Sequence, residues 1–188
     1  MVFWDSFSQE FLPAHTLKCI EKKLNHIETL KARFIQKDSS DQILSGTFYL
    51  VRPFNIRFEY DAPAPCLIVS DEKSLIYEDY KTQQVTFFPA KALLPDLLTK
   101  KNISLSKDVK ILKSWIKDGN SFLFVANEAG GQIMFEFNKE GTLKGWTTQD
   151  AFDQTIKVSL LRTEENIPLA SDLFVYKRSP TRKHKHQS

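Results

Sequence analysis

The sequence predicts a mainly β protein (α+β): a long, strongly curved antiparallel sheet, with an N-terminal helix and a short inserted helix covering its apolar face. Three observations lead there. Phe54-Asn55-Ile56-Arg57-Phe58-Glu59-Tyr60 alternates apolar and polar residues without a break, the mark of a strand with one greasy and one wet face. Similar short runs follow one another along most of the chain with turn residues between them, as in an antiparallel meander. Only two short helical patterns interrupt the strands. A sheet of so many strands curls or closes, and two short helices plug the mouth of a curved sheet more readily than they tile a flat one.

The elements follow in order. Leu17, Ile20, Leu24, Ile27 and Leu30 recur at three- and four-residue spacing between charged residues, so 13–30 reads as an amphipathic helix. Pro13 suits its first turn. Trp4, Phe7 and Phe11 precede it, either as a short amphipathic extension or as a loosely ordered terminus over 1–12. Strands are then expected at Ala32–Gln36, Ile43–Val51, Phe54–Tyr60, Cys66–Ser70, Ser74–Asp79 and Gln84–Phe88. Arg52-Pro53 marks a join between two of them, and Asp61-Ala62-Pro63-Ala64-Pro65 a corner, because proline lacks the ladder donor. Ala90–Lys101 drops the period of two for a cluster of Leu93, Leu94, Leu97 and Leu98 around Pro95, read as a short helix that must lie on an apolar surface. Strands resume at Val109–Lys117, Ser121–Ala126, Gln132–Asn138, Thr142–Gln149 and Gln154–Leu161, with Asp118-Gly119-Asn120 as a hairpin signal. A last strand is expected at Leu173–Tyr176.

Composition narrows the function classes. The length of 188 residues fits one domain, here 1–177, with 178–188 as a basic disordered tail. The aromatic load of 15 Phe, 5 Tyr and 3 Trp against 6 Gly lets strands bury large apolar areas. Net charge is only +3 and gathers in the tail, so the body offers no nucleic-acid groove. Cys19 and Cys66 belong to no CxxC or Cys/His spacing, and sequence does not place them within reach of one another. His15 and His26 stand three helical turns apart, and His184 and His186 lie in the tail. No Ser/His/Asp or Cys/His set emerges, so neither an enzyme nor a metal or other cofactor is expected. No apolar stretch approaches the ~18 residues that cross a membrane. Met1–Asp5 lacks the basic start and apolar run of a secretory signal, which leaves a cytoplasmic protein or the processed part of an exported precursor.

In order along the chain, Ala32-Arg33-Phe34-Ile35-Gln36, Ser45-Gly46-Thr47-Phe48-Tyr49-Leu50-Val51-Arg52-Pro53, Arg57-Phe58-Glu59-Tyr60, Ile68-Val69-Ser70-Asp71, Leu75-Ile76-Tyr77, Gln84-Val85-Thr86, Leu93-Leu94-Pro95 and Ala170-Ser171-Asp172-Leu173-Phe174 resemble the LolA family of periplasmic lipoprotein carriers. Three departures are visible: Asp71-Glu72 stands where Asp-Gly is common, Phe58 where Trp is common, and the family's signal peptide is missing and is expected to have been removed. The resemblance implies a strongly curved, incompletely closed antiparallel β-barrel whose N-terminal and inserted helices act as a lid over an apolar cavity, and a periplasmic chaperone, expected as a monomer. It would shield the acyl chains of lipoproteins between an inner-membrane lipoprotein-releasing ABC transporter and a LolB-type acceptor. It also implies that Arg52 ties sheet to lid and affects release, and that acyl chains meet a wall for which the candidates are Phe48, Leu50, Phe54, Ile56, Phe58, Leu93, Leu94, Leu97, Phe135 and Phe137. The rival readings are a membrane-anchored LolB-like acceptor and a related β-fold that senses lipid or lipoprotein.

Overall fold

The computed structural model describes residues 11–70, 72–89, 96–127, 131–149 and 154–178. The expected tail therefore lies outside the described residues except for Arg178, as do 1–10 and the first half of the inserted helix.

Among the described residues one helix, α1 (Ala14–His26), precedes eleven strands: β1 (Thr29–Asp38), β2 (Ile43–Val51), β3 (Asn55–Tyr60), β4 (Cys66–Ser70), β5 (Ser74–Asp79), β6 (Gln84–Pro89), β7 (Lys110–Lys117), β8 (Asn120–Ala126), β9 (Gln132–Phe137), β10 (Leu143–Gln149) and β11 (Thr155–Glu165). They form a single antiparallel sheet ordered β6-β5-β4-β3-β2-β1-β11-β10-β9-β8-β7. Each half is a meander of neighbouring hairpins. The two meanders join where β1 pairs with β11, with Phe34 opposite Leu160 and Gln36 opposite Val158. β6 and β7 are the edges, and the sheet is not closed between them. The β4–β5 hairpin forms with Ser70 opposite Leu75, although Asp71-Glu72 replaces the commoner Asp-Gly.

Register fixes one buried face. Leu30 lies opposite Leu50, and Ala32 opposite Phe48. Across the next pair Leu50 faces Ile56, and Phe48 faces Phe58. In the second meander Trp146 faces Val158 on one side and Phe135 on the other, and Phe135 faces Leu123. Because side chains alternate along a strand, these residues share one side of the sheet. They also show that the sheet is curled. β3 and β10 stand four strands apart, about 19 Å on a flat sheet at the usual spacing. Yet the Phe58 and Trp146 rings have centroids 6.3 Å apart, and Phe48 and Trp146 5.7 Å.

Two expectations need correction. The helix stops at His26, so Ile27 is extended and Leu30 belongs to β1. Its end is captured by Asn166, beyond β11: the side-chain oxygen accepts from the Glu28 N–H at 2.8 Å, and the amide donates to the His26 carbonyl at 3.0 Å. The expected strand at Leu173–Tyr176 is instead a 3-10 turn at Ser171–Phe174. Its apolar residues are continuous rather than alternating, and it lies on the outer face of β3, where Arg57 Nη1 donates to the Leu173 carbonyl at 2.8 Å. The second half of the inserted helix is likewise a 3-10 turn, Asp96–Thr99.

Candidate functional site: the covered inner face

The connection from β6 to β7 has to pass from one open edge of the sheet to the other, which carries it across the mouth of the curl. Its described part, 96–109, presents Leu97, Leu98, Ile103 and Leu105 to the core, all buried. α1 adds Ile20 and Leu24 from its apolar stripe, and Leu12 and Ile27 flank it. Helix and connection are fastened to each other. The Asn25 side chain donates to the Ile103 carbonyl and accepts from the Ile103 N–H, both at 2.8 Å, and Glu21 accepts from the Leu105 N–H at 2.7 Å. Asp108 closes the connection on itself, accepting from Lys100 Nζ at 2.9 Å and from the Ser104 N–H at 2.6 Å. Together they make one cover.

The cover is tied to the sheet at few polar points. Arg52 Nε donates to the Leu98 carbonyl at 2.8 Å, and the Phe54 N–H donates to the Thr99 carbonyl at 3.0 Å. On the opposite rim the Leu12 N–H donates to Ser114 Oγ at 2.8 Å. Nη1 and Nη2 of Arg52 are buried with no hydrogen-bond partner among the described residues. Burial pushes the guanidinium down to about 10, which leaves it charged at neutral pH.

The wall candidates divide as follows. Phe48, Leu50, Ile56, Phe58, Phe135 and Phe137 lie on the inner face and are 0–5% exposed, and Leu97 in the cover is also buried. Phe48, Ile56, Phe135 and Phe137 have no surface open to a water-sized space, so beside them the cavity is shut, with Phe48 and Phe58 rings 4.7 Å apart. Phe54 is corrected: it sits in the β2–β3 turn with φ of 75° and is 42% exposed. That backbone spends its N–H on Thr99 and turns the ring outward. Leu93 and Leu94 lie outside the described residues.

Sequence reasoning missed Phe34, Leu123, Val125, Ile133, Trp146, Val158 and Leu160, all buried in the same cluster. Their alternation was visible, but which face turned inward depended on the β1–β11 pairing. It also missed Asn25, Glu21 and Asp108, whose roles rest on partners with no sequence pattern. Cys19 is exposed in mid-helix and Cys66 half-buried, and both thiols are free; burial pushes that of Cys66 up to about 11. Among the described residues no group of His, Cys, Asp and Glu is placed to hold a metal ion, and no helix is long and apolar enough to cross a membrane.

The described residues thus form a curled, open antiparallel sheet whose apolar inner face is covered by α1 and the connection 96–109. The profile of the family described as "Outer membrane lipoprotein carrier protein LolA" matches residues 25–177, and the chain belongs to that family. An outer-membrane lipoprotein carrier protein of Nitrosomonas europaea is 28% identical, over 87% of this chain and 85% of that one. Another from Dechloromonas aromatica is 28% identical, over 81% and 79%. Among solved structures, an uncharacterized conserved protein from Thermus thermophilus superposes with a TM-score of 0.53 at 14% identity, over 89% of this chain and 94% of that one, a likeness of fold.

Proposed function

We propose that this protein is a periplasmic carrier that takes the acyl chains of lipoproteins against its inner face, receiving them from an inner-membrane ABC transporter and yielding them to a LolB-type acceptor. The observation that carries the reading is the contrast between interior and fastening. Sheet and cover meet through a continuous cluster of buried aliphatic and aromatic side chains, while the polar ties described between them are single hydrogen bonds, those of Arg52, Phe54 and Leu12 and that of Asn166 to the end of α1. Each such bond contributes about 1 kcal/mol net. Each acyl CH₂ withdrawn from water contributes about 0.8 kcal/mol. A few methylenes therefore match a fastening bond, and several whole chains outweigh them all. Lifting the cover exchanges its apolar contacts for those of the cargo, so the interior stays dry in both states. A carrier of this kind needs only to equal the bilayer as a solvent, and handover proceeds without an energy source in the periplasm.

The test is release from membranes. Spheroplasts synthesising labelled lipoprotein are incubated with the purified protein, and the medium is assayed for a soluble complex. Lipoprotein should appear in the medium bound to this chain and should pass to acceptor-bearing membranes when these are added. A medium that stays free of lipoprotein overturns the carrier reading.

A further inference from the structure

While the inner face is shut, the outer face is not. Between β2–β5 and the segment 167–176, which runs as a strap over their outer face, lies a cavity of about 420 Å³, within the range of ordinary small-ligand sites. Its floor is sheet: Val51, Val69 and Ile76 on the side away from the core. Its roof is strap: Leu169, Phe174 and Val175. Ser171 and Tyr176 bring hydroxyls to the lining, the Asn55 amide and Ser70 Oγ being engaged by the Pro53 and Phe54 carbonyls, and no residue lining the cavity carries a charge. The nearby charges are spoken for. Arg57 makes an ion pair with Glu59 at 2.6 Å and holds the strap through Leu173. The Tyr176 phenol is pushed up by burial and by the carboxylate of Glu78, itself buried beneath the strap.

We propose that this outer cavity is a second binding site, separate from the covered inner face, for a single aliphatic chain with a neutral hydrogen-bonding head such as a monoacylglycerol. An apolar floor and roof suit methylenes, and the hydroxyls of Ser171 and Tyr176 suit a glycerol or ester head. With no charged residue in its lining, the cavity suits an uncharged head and would strip an ionised one of water without replacing its partners. A free fatty acid anion is thus the wrong ligand and its neutral ester the right one. The strap can admit a chain from the side, because Val175 is 56% exposed and the strap's carbonyls are held at single points, Ile167 by Thr29 Oγ1 and Leu173 by Arg57.

The experiment uses bromine quenching of tryptophan, which requires near contact. In a Trp4→Phe background the emission comes from Trp146 on the inner face and Trp115 at the far end of the sheet. A reporter is added as Phe174→Trp or, at the rim, Val175→Trp. The probe is a monoacylglycerol brominated in mid-chain, used below its critical micelle concentration. The added emission should be quenched saturably while the parent's is unchanged, and Ile76→Asp should weaken the effect about tenfold or more by placing a carboxylate in the wall. The brominated fatty acid should quench far less. Quenching of the parent with none added by either reporter places the chain inside and overturns the outer site, though it would favour the carrier reading. No quenching in any variant also overturns it, and leaves the lipoprotein-release assay to decide the carrier reading on its own.

Discussion

Arg52 gives its Nε hydrogen to the Leu98 carbonyl and keeps Nη1 and Nη2 without described partners. Two effects oppose each other there. The hydrogen bond from a charged donor contributes about 1.5–3 kcal/mol to the closed cover, whereas partial withdrawal of the ion from water disfavours closure. Nη1 and Nη2 are out of water, so desolvation offsets part of the bond and leaves a net preference for closure of about 1 kcal/mol. A bond made only when the cover is shut favours the empty carrier and hence release of cargo. Arg52→Leu should therefore leave uptake intact and slow handover to the acceptor by roughly fivefold, the factor that about 1 kcal/mol represents. Normal transfer by this variant removes Arg52 from the mechanism. Gly46 makes a second claim at this scale. A Cβ there would come within 2.6 Å of the Phe34 ring and closer still to the Glu59 carbonyl. Gly46→Ala should destabilise the fold by about 1–3 kcal/mol through overpacking, measured as a lower midpoint in urea with unchanged slope. An unshifted midpoint would mean that the ring and the neighbouring strand give way freely.

Elements differ in how far the sequence announced them. Strand limits such as Ile43–Val51, Cys66–Ser70 and Ser74–Asp79 were readable because a half-buried strand writes its period of two into the chain, and turn residues punctuate it. The end of α1 was not, since the Asn166 that captures it lies 140 residues from His26. Nor was the connection 100–108, which has no period: its shape comes from Asp108 gathering Lys100 and Ser104, and from Asn25 and Glu21 reaching across from the helix. That connection is testable by acid. Burial alone would raise the Asp108 carboxyl, but the Lys100 and Ser104 hydrogen bonds outweigh it and hold the group below its ordinary 3.8. A depressed carboxyl contributes stability that is present above 3.8 and lost as pH falls through its lower folded value. Asp108→Asn should thus cost about 1 kcal/mol at neutral pH. The gap between variant and wild type should close at a pH well below 3.8, where the native carboxyl is protonated. Urea denaturation at the two pH values measures it; a gap independent of pH would mean that charge plays no part in holding the loop.

At the scale of the whole molecule, the strand order makes opening possible without unfolding. The continuous ladder runs from β6 to β7 through the β1–β11 pair, so the sheet keeps its hydrogen bonds whether or not the mouth is covered. The cover belongs to two segments that enter from the rims, α1 before the first strand and 96–109 between the two edges. Motion of the cover therefore breaks a few side-chain and loop bonds and no ladder. If uptake requires that motion, pinning the cover to the sheet should abolish it while leaving the interior unchanged. The Phe54 N–H and Thr99 carbonyl, 3.0 Å apart, bring a sheet turn and the cover together at a point outside the apolar cluster. In a Cys19→Ser, Cys66→Ser background, Phe54→Cys with Thr99→Cys can be bridged by dibromobimane, whose fluorescence reports that both thiols have reacted. The bridged protein should take up no lipoprotein from spheroplasts, whereas the unbridged double variant and each single-cysteine control treated alike should take it up normally. Full uptake by the bridged protein would mean that the chains enter elsewhere, past the opposite rim at Leu12 and Ser114, and that the Arg52 side of the cover is a hinge rather than a latch.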